Sequence, residues 1–271
     1  MRSGLEVDVK AKELLEANQI SAAIAALTLD VKKQPTDTHL RTFLFELLCF
    51  AGEYERAERQ LEVIGHQNES TGIGVEVYRQ LLRADKARQR WFTEGLTPTF
   101  LLNPPSWIQH QLEAGNRLRG QQTGEAKALL QRAASESPKL QGIVNGKPFD
   151  DFRDSDDRLG SVFEVFLGEK YVWLPCEQVK KMTIPKPKQL RDLLWTPATI
   201  EAGEGEAGDV YLPVLYVGSH SEEDDQLRLG KITDWRGLGD GLAGGAGQKT
   251  YLVDDSEMSI LEIREIEFRN A

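Results

Sequence analysis

A glycine run, an aspartate cluster and four scattered histidines are the residues from which this chain could build chemistry. Gly239-Asp240-Gly241-Leu242-Ala243-Gly244 has the GxGxxG spacing of a dinucleotide loop. Such a loop must open a helix whose N-terminal amides face the pyrophosphate, yet the residues that follow, Gly245 to Val253, read as a strand. Gly247-Gln248-Lys249-Thr250 comes within one inserted residue of a P-loop ending, and the insertion moves the lysine off the position that reaches the phosphates. Asp150, Asp151, Asp154, Asp156 and Asp157 could offer hard oxygen ligands to calcium. A calcium loop starting at Asp154 would need an acid or amide at 158 and a glutamate at 165, where the chain has Arg158 and Val165. The cluster therefore reads as an acidic turn between two halves of the chain, partly neutralised by Arg158. His39, His66, His110 and His220 share no ligand spacing, and no serine or cysteine stands in a nucleophile motif. Cys49 and Cys176 are too few for a metal cage or a disulfide framework and read as buried small apolar residues. The expectation is a protein without catalytic residues, metal or cofactor. The alternative is an enzyme, or a ligand- or metal-binding protein, with its site in the acidic second half.

The elements that would position these residues change character near Gly142. Ala51 to Leu61 repeats, 34 residues later, the pattern of Ala17 to Leu27, and that period is the length of a tetratricopeptide hairpin. Small and large positions of such a unit fall on Ala11, Leu14, Ala23 and Leu27, then on Gly52, Tyr54, Ala57 and Leu61. A further copy falls on Ala114, Ala126, Leu130, Ala133 and Pro138. Stacked hairpins make a curved surface that holds another polypeptide. Between the copies, Gly74 to Thr93 reads as one amphipathic helix with Val77, Tyr78, Leu81, Leu82, Ala84, Trp91 and Phe92 on one side and Arg79, Arg83, Lys86 and Arg90 on the other. Arg88 breaks the pattern by pointing into the apolar face, and Asp85, three residues before it, is the expected partner of an internal ion pair. Ser106 is the expected N-cap of the following helix.

After Gly142 the apolar period shortens. Val162 to Leu167, Tyr171 to Leu174, Val210 to Val217, Thr250 to Val253 and Leu261 to Phe268 read as strands divided by turn residues. The expected fold class is α+β: a tetratricopeptide-like helical domain over residues 1–141, then a mainly antiparallel β domain over 142–271. Residues 1–140 carry 18 Lys/Arg against 18 Asp/Glu and residues 141–271 carry 15 against 25, so the second half holds the whole net charge of −10. An acidic half argues against nucleic acid, whose binding rests on neutralising phosphates. No apolar run is long enough to span a membrane and Met1 to Lys12 lacks the order of a signal peptide, so the expected location is cytoplasmic.

Several phrases of the second half stand together in one order: Asn145-Gly146-Lys147-Pro148-Phe149-Asp150, Asp154 to Gly160, Leu190 to Ala198, Leu227 to Trp235 and Gly247-Gln248-Lys249. With Arg88, Trp91-Phe92, Gly95 and Pro98 they resemble the ImpE/SciE/TagJ family of type VI secretion accessory proteins, from about residue 75 to the end. Lys249 departs from the arginine expected in the last phrase, which would weaken any role needing a bidentate fork. The resemblance implies a non-enzymatic accessory protein that binds the N-terminal helix of the small sheath subunit, TssB, and is linked indirectly to the ClpV unfoldase. A stacked-hairpin surface suits an amphipathic helix laid into a groove. Two docking places follow. One is the concave side of the hairpins, with Leu40, Phe43 and Leu47; the other is a cleft between the domains near Trp91, Trp107, Arg158, Trp195 and Trp235.

Overall fold

The computed structural model describes residues 9–67, 72–203, 205 and 208–269. Seven helices come first: Val9–Glu16 (α1), Ile20–Lys33 (α2), Thr38–Phe50 (α3), Tyr54–Gln67 (α4), Gly72–Glu94 (α5), Ile108–Arg119 (α6) and Thr123–Glu136 (α7). Helices α1 and α2, α3 and α4, and α6 and α7 pack as hairpins. Their turns share one geometry. Asn18, Gly52 and Gln121 all take a left-handed backbone, at φ 57°, 71° and 58°. In each turn the next amide reaches back five residues: Gln19 to Leu14 at 2.8 Å, Glu53 to Leu48 at 2.9 Å and Gln122 to Arg117 at 2.9 Å. This bond satisfies a carbonyl that the ending helix leaves open. The 34-residue echo in the sequence thus marks one turn used twice. The alanines expected at close helix crossings, Ala11, Ala23, Ala57, Ala114, Ala126 and Ala133, are at most 1% exposed, because a larger side chain would hold the helix axes apart.

Helix α5 matches the amphipathic pattern closely, with Tyr78, Leu81, Leu82, Ala84 and Trp91 buried. Its basic stripe is paired: Arg83 meets Glu169 at 2.9 Å, Lys86 meets Glu58 at 3.1 Å and Arg90 meets Glu94 at 2.8 Å. Ser106 does not cap α6. The N-cap is Trp107, without a side-chain cap bond, and its buried indole is held by Glu177 at 3.2 Å.

The second half is an antiparallel β structure. Its strands are Gly142–Val144 (β1), Lys147–Phe149 (β2), Phe152–Asp154 (β3), Val162–Leu167 (β4), Lys170–Pro175 (β5), Val179–Thr183 (β6), Trp195–Ala202 (β7), Gly208–Pro213 (β8), Thr233–Gly239 (β9), Leu242–Gly247 (β10), Thr250–Val253 (β11), Ser256–Ser259 (β12) and Glu265–Phe268 (β13). A short helix, Asp225–Arg228 (α8), lies between β8 and β9. The main sheet runs β2-β1-β13-β6-β7-β8-β4-β5, beside the ribbon β10-β9 and the small sheet β12-β11-β3. The chain is therefore α+β.

Two expected strands are shorter than read. The Val210 to Val217 run leaves the main sheet at Pro213, after which Tyr216 donates its amide to Gly247 O at 2.9 Å. Leu261 to Phe268 is strand only from Glu265, since the Ser259 hydroxyl accepts the Leu261 amide and holds a turn there. One apolar core runs through both halves, from Ala11 to Phe268. Helix α5 supplies the seam, packing on β4 and β5.

Candidate functional site

At the seam the structure assembles a walled-in ionic cluster. Arg88 on α5 grips Glu164 on β4 with two bonds of 2.8 Å and donates a third, at 3.0 Å, to Leu215 O. The Lys249 ammonium lies 2.7 Å from Glu164 and 2.8 Å from Asp154, and all three side chains are fully buried. Tyr171 donates to Glu164 at 2.7 Å. Burial alone would push the Glu164 carboxyl up, but Arg88 and Lys249 together hold it well below the usual carboxylate range. Burial pushes Asp154 up to about 6, against the opposing pull of Lys249. Four hydrogen bonds on one glutamate, two from Arg88 and one each from Lys249 and Tyr171, leave no lone pair or proton facing a substrate. Such an arrangement is a clamp between α5 and the sheet, and losing one member of a buried pair costs about 3–5 kcal/mol.

Asp85 and Arg88 form the expected buried ion pair at 3.8 Å, without a hydrogen bond between them. The main partner of Arg88 is thus Glu164, which stands 76 residues further on. Asp85 instead accepts from Tyr54 at 3.1 Å and Trp195 at 3.3 Å. The one advance sign of Glu164 was a lone charge inside the apolar run Val162 to Leu167.

The residues first singled out for chemistry serve this framework. Asp156 accepts Arg158 Nε at 2.9 Å and the Gly245 amide at 2.9 Å. The glycine run is the β9–β10 ribbon, and a Cβ on Gly245 would come within 2.3 Å of the Tyr216 ring. Glycine is needed there for packing. Among the described residues no group of three His, Cys, Asp or Glu is placed to hold a metal. Burial raises both cysteine thiols well above their ordinary value.

The expected interdomain cleft is filled by side chains along part of its length. Trp91 meets Trp173 edge-on at 5.0 Å, Trp195 packs 6.4 Å from Phe45, and Arg158 lies 4.8 Å from the centre of the Phe92 ring. Trp91, Trp107 and Trp195 are 4%, 3% and 1% exposed. Their surfaces are spent on joining the halves. Trp235 is half-buried against Tyr216 in the β half. Two cavities stay open beside it, one of about 340 Å³ lined by Trp107, Gln111, Leu130, Arg153 and Asp157, and one of about 190 Å³ between Trp91, Phe92, Arg119, Arg158 and Leu238.

The concave side of the hairpins keeps a trough of about 400 Å³. Its floor is one face of α3, His39, Thr42, Phe43 and Glu46, spaced i, i+3, i+4 and i+7. Lys12, Leu15 and Glu16 of α1 form one side, Tyr78 of α5 another, and Gln189 and Leu190 of the β half close it. Phe43 therefore lines the trough, whereas Leu40 and Leu47, at 2% and 0% exposure, belong to the core. Helix α3 is buried nearly all round from Phe43 to Phe50, and only its His39–Glu46 face meets the opening. Leu190 is placed by a 3₁₀ turn, Leu190–Leu193, that Gln189 and Asp192 cap reciprocally. Glu46, Tyr78 and Leu190 were not foreseen, because residues 12 to 190 converge here from separate elements. No helix among the described residues is long and apolar enough to cross a membrane.

Comparison with known proteins agrees over nearly the whole length. Residues 146–267 match the family described as ImpE protein. The chain is 36% identical, over 95% of its length and 90% of the relative's, to the type VI secretion system accessory component TagJ of Pseudomonas aeruginosa. It is similar to the crystal structure of protein VPA1032 from Vibrio parahaemolyticus, with a TM-score of 0.89, 25% identity and coverage of 96% of this chain and 97% of that one.

Proposed function

The chain belongs to the ImpE/SciE/TagJ family of type VI secretion accessory proteins, and on that premise we propose that it binds the N-terminal helix of the small sheath subunit, TssB, in the trough over α1 and α3. The observation that carries this reading is the open α3 face, His39, Thr42, Phe43 and Glu46, with Leu15 and Leu190 as apolar flanks. A helix presents anchors at i, i+3, i+4 and i+7, and a trough floored by a helix face with the same spacing accepts them ridge into groove. The contact is modest in area and reversible, as suits an accessory protein that acts on sheath assembly or turnover, or brings ClpV to the sheath indirectly. The role is non-enzymatic and set in the cytoplasm beside the sheath.

Titration of the full chain with a synthetic peptide of the cognate TssB N-terminal helix tests the proposal. Saturable binding is expected. Leu190→Asp, which puts a charge on the wall of the trough at a partly buried position, should weaken it at least tenfold, or about 1.4 kcal/mol, while circular dichroism and thermal denaturation show the variant still folded. Absence of saturation at high micromolar peptide would sink the proposal.

A further inference from the structure

The smaller cavity beside the seam, about 190 Å³ between α5, α6 and β9, is furnished with donors and apolar walls alone. Its walls are the rings of Trp91 and Phe92, Leu118, Leu238 and the guanidinium groups of Arg119 and Arg158. Among the described residues that line it, none has a carboxylate, hydroxyl or amide side chain. Each guanidinium sits by one ring, Arg119 at 4.8 Å from the centre of Trp91 and Arg158 at 4.8 Å from that of Phe92. Both are held in place. Arg119 donates to Trp91 O at 2.8 Å and to the Asn116 side chain, and a Cβ on Gly95, where φ is 83°, would come within 2.7 Å of it. Arg158 donates from Nε, at 2.9 Å, and from Nη2 to the fully buried Asp156.

Neither guanidinium is used up. A guanidinium has five N–H donors, and the bonds just named occupy two on each, so both half-buried side chains keep donors for the cavity. Arg158 brings donors without net charge, because Asp156 balances it. Arg119 brings the charge: it feels the Glu113 carboxylate, but that group is engaged by Arg117 at 2.8 Å and by Asn116 at 2.9 Å. Donors with no side-chain acceptor among them suit a ligand that only accepts, and the planar fork of arginine matches a carboxylate. The cavity is also below the range of about 300–1,000 Å³ typical of small-molecule sites, which suits one side chain rather than a whole metabolite.

We propose that this cavity receives a glutamate side chain of a partner polypeptide, with its methylene stem against the rings of Trp91 and Phe92 and its carboxylate taken by Arg119 and Arg158. An apolar residue next to that glutamate rests on Leu118 and Leu238. Aromatic rings and arginines are the groups that most often anchor polypeptide interfaces, since they bring large contact area and directional bonds to a small place. The cavity shares no lining residue with the trough over α1 and α3, so this second contact point stands or falls apart from the docking proposed there.

The test titrates the full chain with the capped peptides Gly-Leu-Glu-Leu-Gly, Gly-Leu-Gln-Leu-Gly and Gly-Leu-Lys-Leu-Gly, read by ligand-observed NMR. The glutamate peptide should saturate, the glutamine peptide should bind at least tenfold more weakly, and the lysine peptide should not bind. Arg119→Gln should remove the preference for glutamate over glutamine, and Arg119→Lys, which keeps the charge but not the fork, should retain part of it. Because Arg119 also steadies the end of α5, a second variant is needed. Leu238→Glu offers the cavity a carboxylate from the chain itself and should abolish binding, with circular dichroism and thermal denaturation checking that each variant is folded. Failure of the glutamate peptide to saturate, equal binding of the glutamate and glutamine peptides, a preference that survives Arg119→Gln or Leu238→Glu, or displacement of the glutamate peptide by an equal concentration of inorganic phosphate would overturn the inference.

Discussion

Two buried glutamates meet their surroundings in different ways. Glu164, at the seam, is gripped by Arg88 and Lys249 and accepts a tyrosine hydroxyl as well. Glu46, in the trough, accepts the hydroxyl of Tyr78 and feels the charge and backbone amide of Arg191, yet burial still raises its pKa. Both have been taken out of water, and the difference lies in whether close cations outweigh the burial, as they do at Glu164, or do not, as at Glu46. Where they do, the charge holds the fold together, and no substrate or partner can reach it. Where they do not, the carboxylate stays at the edge of a trough that a partner can enter. The walled-in ionic cluster is therefore a structural clamp, whereas the recognition surface proposed here is open and mostly apolar.

The comparison breaks first at Glu164. Glu164→Gln deprives Arg88 and Lys249 of their shared counter-charge in one step, and urea denaturation should show a loss of about 3–5 kcal/mol. A loss below about 1 kcal/mol would mean that the seam does not depend on the cluster.

Acid sharpens the same point. The Glu164 pKa is held below its ordinary 4.5 in the folded chain, so its stabilisation is present above pH 4.5 and is lost as pH falls from there toward the depressed folded value. The stability gap between the unaltered chain and Glu164→Gln should accordingly narrow below pH 4.5, and denaturation of both proteins at several pH values would reveal it. A gap that stays constant to pH 3 would contradict the assignment.

The smallest effect is expected at the surface. Arg83 and Glu169 are about half exposed and 2.9 Å apart, and exposed pairs of this kind contribute little in water and salt. Arg83→Ala should change stability by less than about 0.5 kcal/mol and leave peptide binding unaltered. A larger effect on either would show that the outer face of α5 takes part in docking.

Some of this was legible before any coordinates. Helices α1 to α4 declare themselves through a 3.6-residue apolar period and a repeated turn, both of which are local properties. The strands β4, β5 and β11 are dense in β-branched and aromatic residues and read equally well. Strand β9 did not, and β10 was read only from Gly245 and run on into β11, since the paired ribbon and the Tyr216 ring that its glycines admit are supplied by residues distant in sequence. The β12 run Ser256–Ser259 is polar and becomes a strand only because β11 offers it a ladder. Arg88 was conspicuous as a charge on an apolar face, and its neighbour Asp85 was the partner in reach of the sequence. The bidentate partner lay on a strand that only folding brings near.

The sequence alone determined the two-part α+β character, the hairpin turns at Asn18 and Gly52, the long α5 and the order of family phrases from Asn145 to Lys249. These depend on periodicity, turn chemistry and residue order, and each is set within a few neighbouring residues or by the string itself. Only the tertiary structure decided that Trp91 and Trp195 pack into the seam, that Leu40 and Leu47 lie in the core while Phe43 reaches the opening, and that Glu46 is buried beside Tyr78. Those facts depend on which surfaces meet across 30 to 180 residues of chain, as from Leu15 to Leu190 in the trough. Burial and charge pairing belong to that meeting, because a side chain's water is removed by its neighbours in space and not by its neighbours in sequence.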